Sequence, residues 1–456
     1  MKKPFLYIMG ALMVLVGVVS CDNNQTVDTT GYDIAQVTAF RFMKNDSFPG
    51  LKEAEFIIQE LNDTGLIEVK DSLLYGTPLD SVTPVLTFYY SPYAAIIYTP
   101  FDTITYSGST TDTINMSAEP MYVQVYSYDK SKVKWYRLRA YAHKVDPDLF
   151  SWNTLTTSIA AAQPAEQQAL MVGNKMVMLA NNGFKNTCYT SLDGALWQEN
   201  SVSGLPTDCE VRRIICLDNV LYYADTTAMF TSTDALTWNK YAWNAGDYEP
   251  LTTLMAFDGQ VWLLAYDKEE HLCIVSWRDG VIAAMPVDKK DGALPASFPV
   301  SDFAVVSYTS SSEHEHVLIA GGYNRDGEMV NCHWNVEYNR SLGQYRVVDY
   351  AVSQSGLAPF AGVAMVAYDN KMYAFGGVDN KGAFLSAIRY STDEGLHWNE
   401  VDTVKNSLPA DYCPRRNVSA FVYDKNIYLI GGTSATGTLM DAYKGRINSI
   451  DFLRKQ

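Results

Sequence analysis

The sequence predicts an all-β protein in two folded parts: a β-sandwich, then a six-bladed β-propeller. Three observations lead there. A unit of hydrophobic run, Asn/Asp turn and second hydrophobic run recurs after residue 148 in steps of about 40 to 55 residues. The chain carries 31 Tyr and 9 Trp, side chains that favour pleated, half-buried surfaces. Between residues 33 and 145, short β-prone runs alternate with turn residues. The length of 456 residues, with 47% apolar and 19% charged, fits a globular chain of two or three domains. Its 35 Lys and Arg stand against 51 Asp and Glu, a net charge of −16. A field of that sign repels phosphate backbones and excludes nucleic acid as an expected partner.

Residues 1–20 read as an address. Met1-Lys2-Lys3-Pro4 is a basic start, and Phe5 to Val19 is an uncharged apolar run. That run is short for a membrane span and suits a secretory leader. Val18-Val19-Ser20-Cys21 resembles the bacterial lipobox, which implies cleavage before Cys21 and acylation of that residue. Residues 21–32 then form a lipidated tether. Loss of Lys2 and Lys3 leaves 33 basic against 51 acidic residues, a charge of −18. No later segment is apolar enough to span a bilayer, so the lipid is the expected anchor of a cell-envelope, outer-membrane lipoprotein. Asp22 leaves the leaflet open. Among the remaining cysteines, Cys188, Cys273 and Cys332 fall at similar repeat positions and read as buried thiols. Cys209 and Cys216 are the best disulfide candidates.

In residues 33–145 the clearest strands are residues 37–42, 85–90 and 121–126, and a turn at Asp129-Lys130-Ser131-Lys132 leads into residues 133–142. Such runs over this length point to an immunoglobulin-like sandwich. Asp71-Ser72-Leu73-Leu74-Tyr75-Gly76-Thr77-Pro78-Leu79-Asp80 resembles a segment of surface lipoproteins from gut-type Gram-negative bacteria. That resemblance implies a sandwich-like domain ahead of a propeller and carries no activity with it.

The propeller is expected over residues 148–456. Its units align at Asn174-Lys175, Asp218-Asn219, Asp258-Gly259, Asp369-Asn370 and Asp424-Lys425, with one more at residues 316–322. Gly321-Gly322, Gly376-Gly377 and Gly431-Gly432 resemble the kelch double glycine. Ser391-Thr392-Asp393-Glu394-Gly395-Leu396-His397-Trp398 resembles the Asp-box, with shorter versions at Asp193/Trp197 and Asp234/Trp238. In that motif the Asp accepts backbone amides in a hairpin and the Trp packs between sheets, a structural role. Residues 149–155 carry Trp152 in a run like the fourth strand of the other units, whereas the last unit lacks such a Trp. This segment is therefore expected to supply the outer strand of the last blade.

No catalytic constellation emerges. Asp boxes occur in sialidases, but their Arg-Ile-Pro marker is missing and Arg212-Arg213-Ile214 lies in the wrong unit. Serine-hydrolase elbows, P-loops and His-Glu-x-x-His are absent. A facing carboxylate pair cannot be picked from 51 acids. Glu313-His314-Glu315-His316 reads as a solvated hairpin tip more than a metal site. No cofactor and no metal are expected.

Propeller topology gathers the loops between second and third strands with the loops between blades on one face. That face collects Trp243, Tyr248, Tyr323, Arg325, Arg415 and Arg416, where rings and guanidinium groups suit sugars and acidic groups. The expected function is a lipid-anchored envelope binding protein without catalysis, recognising a glycan or an envelope protein. The alternatives are a sialidase-like or other glycoside hydrolase, and a structural scaffold of an envelope complex.

Overall fold

The computed structural model describes residues 29–45, 48–61, 64–146, 149–243, 246–286, 293–310, 313–350, 358–402 and 406–448. Cys21 and the expected leader lie outside these residues. The chain divides into two compact units between Lys144 and Val145.

In the N-terminal unit a six-stranded sheet runs in the order Phe56–Leu61, Thr64–Val69, Val133–Arg139, Met121–Tyr126, Ala94–Tyr98, Thr103–Thr105. Thr64–Val69 pairs in parallel with Val133–Arg139, and the other neighbours are antiparallel. Val37–Phe42 and Pro84–Phe88 form a second, two-stranded sheet. Val37, Phe40, Phe42 and Leu86 from this sheet share one core with Ile67, Ile97, Val123 and Tyr136 from the other. The Tyr136 hydroxyl lies inside this core, accepts the Val37 N–H at 3.0 Å and donates to Glu60 at 2.9 Å. Gly65 makes this possible, because a Cβ there would lie 2.4 Å from the Tyr136 ring.

Among the described residues, the C-terminal unit contains six four-stranded antiparallel sheets. They span residues 166–201, 215–242, 249–284, 304–349, 364–400 and 419–447, and we number them one to six in that order. Two-residue turns with Asp at the first position close the first hairpin of several sheets. Asp218-Asn219, Asp258-Gly259, Asp369-Asn370 and Asp424-Lys425 all take positive φ at both residues, as a two-residue turn matched to strand twist requires. The sixth sheet takes its outer strand from far upstream. Phe150–Thr156 pairs with Ala442–Ile447, with Trp152 opposite Gly445.

Apolar clusters lie between successive sheets. Sheets one and two share Val177, Leu179, Leu221 and Phe230, and sheets three and four share Trp262, Leu264, Val317 and Trp334. Sheet six packs back on sheet one through Tyr428, Ile430, Met176 and Met178, which closes the ring. Full burial of a side chain such as Leu264 contributes about 2 kcal/mol, so the stability of this unit resides between sheets. The double glycines sit where a second strand turns toward the next sheet. Gly376 has φ 65°, and a Cβ on it would lie 2.3 Å from the carbonyl oxygen of Arg415, so only glycine permits that approach.

Candidate functional site

The first strands of all six sheets surround a central channel of 380 Å³. Leu170, Val305, Ala364 and Phe421 are among its apolar lining residues. Its mouth is ionic. Arg212 bonds Glu166 at 2.5 Å and also pairs with Asp302, tying sheets one, two and four together. Next to it, Arg213 donates to the Val300 carbonyl at 2.8 Å and lies 4.8 Å from the centroid of Phe303. In the sequence, Arg212-Arg213 reads only as an incomplete sialidase marker in the wrong unit. The available signal was a pair of arginines just ahead of a first strand, where inner-rim residues belong.

The loops between second and third strands are built alike. Asp225, Asp267, Asn324 and Asp379 each open such a loop, and one side-chain oxygen accepts two amides further along. At Asp379 the amides of Ala383 and Lys381 hold the carboxyl below its ordinary value. These loops are therefore rigid platforms set by one residue each.

Two of them, those of Asn324 and Asp379, line a surface pocket of 460 Å³ together with the corresponding loop of sheet six. Tyr323 comes from sheet four, Asp379 and Asn380 from sheet five, and Thr433 and Ser434 from sheet six, with Arg416 just ahead of sheet six. Among the described residues, neither the Arg416 guanidinium nor the Tyr323 hydroxyl has a hydrogen-bond or ionic partner. Both are half-buried.

The other expected ligand residues separate. Arg415 is a correction to the expected binding face: it is 0% exposed. Its Nε donates to the Cys413 carbonyl at 2.7 Å and its Nη1 to the Gly431 carbonyl at 2.9 Å and to Asp441 at 2.5 Å. Its guanidinium lies 4.1 Å from the Tyr412 ring centroid. Trp243 and Tyr248 pack half-buried on the core between sheets two and three, and the Trp243 indole donates to the Asp225 carbonyl at 2.9 Å. Arg325 is exposed and lies over Tyr266 at 4.9 Å.

The box residues act locally. Asp193 accepts the amides of Ala195 and Leu196, Asp234 those of Leu236 and Thr237, and Asp393 that of His397. The indoles of Trp197, Trp238 and Trp398 each donate to a carbonyl three residues back. Each Trp packs on the core shared with the preceding sheet.

Cys209 and Cys216, the best disulfide candidates in the sequence, are both free thiols. Burial pushes the thiols of Cys188 and Cys332 up to about 12 and that of Cys273 up to about 11. His316 is buried, stacks on Tyr308 at 5.3 Å and bonds Asn335 at 3.1 Å, so it is a core side chain. Asp267, Glu269 and His271 bring ligand atoms within 4.8 Å of one another on one of the rigid loops, a donor set able to hold a cation.

Comparison with known proteins gives the family. A model described as the DUF6242 beta propeller domain matches residues 146–455. The model of the N-terminal domain of the same family, a domain of unknown function, matches residues 22–140. No curated protein matches the chain. Among solved structures the chain is similar to one titled "Structure of YjhT", at 10% identity and a TM-score of 0.47, over 63% of this chain and 96% of that one. The all-β chain, with its β-propeller domain, belongs to the DUF6242 family.

Proposed function

We propose that this protein is a lipid-anchored receptor of the cell envelope, held in the outer membrane through Cys21, that binds a glycan on its propeller without turning it over. In this reading the six four-stranded sheets are six kelch-like blades of one ring, and the N-terminal unit is an immunoglobulin-like sandwich. The observation that carries the reading is the pocket shared by Tyr323 and Arg416. The Arg416 guanidinium and the Tyr323 hydroxyl in this half-buried pocket are not bonded to side chains or carbonyls of the described residues, which leaves both for a ligand. A ring face and a guanidinium fork beside Asp379, Asn380, Thr433 and Ser434 suit a sugar with hydroxyl or acidic substituents. The Arg212 carboxylate partners support binding over hydrolysis, because Glu166 and Asp302 are both engaged by one guanidinium.

The test is a glycan array probed with the full chain, with released sugar measured at each spot. Selective binding is expected, with loss in Arg416→Ala and Tyr323→Ala. Sugar release would favour the glycoside-hydrolase alternative. Binding unchanged in both variants would remove this pocket, and silence across the array would favour a protein partner or a scaffold.

A further inference from the structure

A cluster of tyrosines caps one end of the N-terminal unit. Tyr32 lies at its start. Tyr89, Tyr90 and Tyr93 lie between the strands Pro84–Phe88 and Ala94–Tyr98, and Tyr128 lies in the hairpin between Met121–Tyr126 and Val133–Arg139. Ring centroids are 4.9 Å apart for Tyr32 and Tyr90, 4.8 Å for Tyr32 and Tyr128, and 5.8 Å for Tyr90 and Tyr128. The Lys130 ammonium sits 3.8 Å from the Tyr93 centroid. Tyr89, Tyr93 and Tyr128 remain 57%, 59% and 50% exposed. The tip is ordered: the Asp129 amide donates to the Tyr32 carbonyl at 3.1 Å, the Tyr93 amide to that of Tyr126 at 3.1 Å, and Lys132 pairs with Asp33 at 2.7 Å. An exposed aromatic patch of this kind marks an interaction surface.

The path of the chain says what it faces. The tether leads directly into the cluster, at Tyr32. The chain leaves by Val133–Arg139, which begins at the Tyr128 hairpin and runs to the other end of the sheet. Seven residues of strand separate the two ends by about 23 Å. Only seven residues lie between Cys21 and Thr29, and fully extended they reach at most about 29 Å.

We propose that this tyrosine tip docks on the headgroup layer of the membrane that carries the anchor. The proposal rests on the acylation of Cys21 in the proposed function. Tyrosine suits that layer because its ring is apolar and its hydroxyl stays wet. The Lys130 ammonium, held over the Tyr93 ring, adds a positive charge to the tip that suits anionic headgroups. The anchor holds the tip at high local concentration beside the bilayer, so weak contacts suffice. Docking fixes the orientation of the N-terminal unit on the membrane.

The experiment is hydroxyl-radical footprinting of the full-length protein in vesicles of phosphatidylethanolamine and phosphatidylglycerol. The Cys21→Ser chain, free in solution, is the reference, and mass spectrometry reports the acyl group. In the acylated, vesicle-bound protein, oxidation of Tyr89, Tyr93 and Tyr128 is expected to fall roughly fivefold as half-exposed rings become buried. Oxidation of Tyr241, which is 45% exposed on the C-terminal unit, should be unchanged. Acylated protein on vesicles with the three tyrosines oxidised as in solution overturns the docking and leaves the anchor intact. A chain that carries no acyl mass and does not float with vesicles overturns the anchor reading and the docking with it.

Discussion

Replacing Arg415 with methionine tests whether this arginine holds the ring together or waits for a ligand. The guanidinium is fully buried, bonded to two carbonyls and to Asp441, and lies against Tyr412. Methionine keeps an apolar stem beside the rings and removes the charge and the donors. Asp441, 8% exposed, then retains only the Tyr443 hydroxyl at 3.1 Å among the described residues. Removing one partner of a buried pair costs about 3–5 kcal/mol, chiefly because the other charge is left uncompensated. Adding Asp441→Asn removes that stranded charge and keeps its shape, so the double variant should regain a large part of the loss. Urea unfolding of the three proteins, followed by tryptophan fluorescence, measures both steps. A surface arginine would lose no more than about 0.5 kcal/mol. Wild-type stability in Arg415→Met, with ligand binding abolished, would refute the structural assignment.

Gly445→Val should destabilise the C-terminal unit by about 1–3 kcal/mol, because its first added carbon would lie 2.3 Å from the Trp152 ring; urea unfolding reads it. His333 has both ring nitrogens without a hydrogen bond, and burial pushes it down to about 4. The fold therefore prefers its neutral form. Its stabilising share is present above pH 6.5 and is lost as the pH falls toward 4, by about 3 kcal/mol. Unfolding midpoints from pH 7 to pH 4 should show a shallower decline in His333→Phe than in the wild type. Asp193→Ala strands the Ala195 and Leu196 amides of a partly exposed hairpin and should cost about 1 kcal/mol while leaving glycan binding unchanged.

What was legible in the sequence was mostly local. Asp258-Gly259 announces a tight hairpin because few other pairs tolerate two consecutive positive φ angles. Trp152 marks an outer strand because the equivalent indoles of the other units occupy one recurrent place, and its strand lies at the edge of sheet six. The ionic mouth was not legible. Glu166 and Asp302 lie 46 and 90 residues from Arg212, and only the closed ring brings them to one rim. Trp243 reads as a loop aromatic, yet its indole finds the Asp225 carbonyl and its ring finds a core. The parallel pairing of Thr64–Val69 with Val133–Arg139 depends on contacts that no short window of sequence contains.

The adjacent arginines 415 and 416 show how scaffold and site separate in this fold. Both lie in the same extended lead-in to sheet six, and successive side chains of such a segment point to opposite sides. One side is the core beneath Gly431 and Asp441, where the Gly431 carbonyl and the Asp441 carboxylate accept from a buried guanidinium. Arg415 spends its Nε and Nη1 there, on two carbonyls and Asp441. The other side is the pocket floor, where the Asx-anchored loops have already satisfied their own amides through Asp379 and its counterparts. Nothing there requires the guanidinium of Arg416. Because the loops bond their own amides, Arg416 and Tyr323 line the same pocket without a side-chain partner among the described residues. The ligand proposed above, pairing with Arg416 and stacking on Tyr323, would therefore meet loops already held by their own hydrogen bonds and lose little to rearrangement.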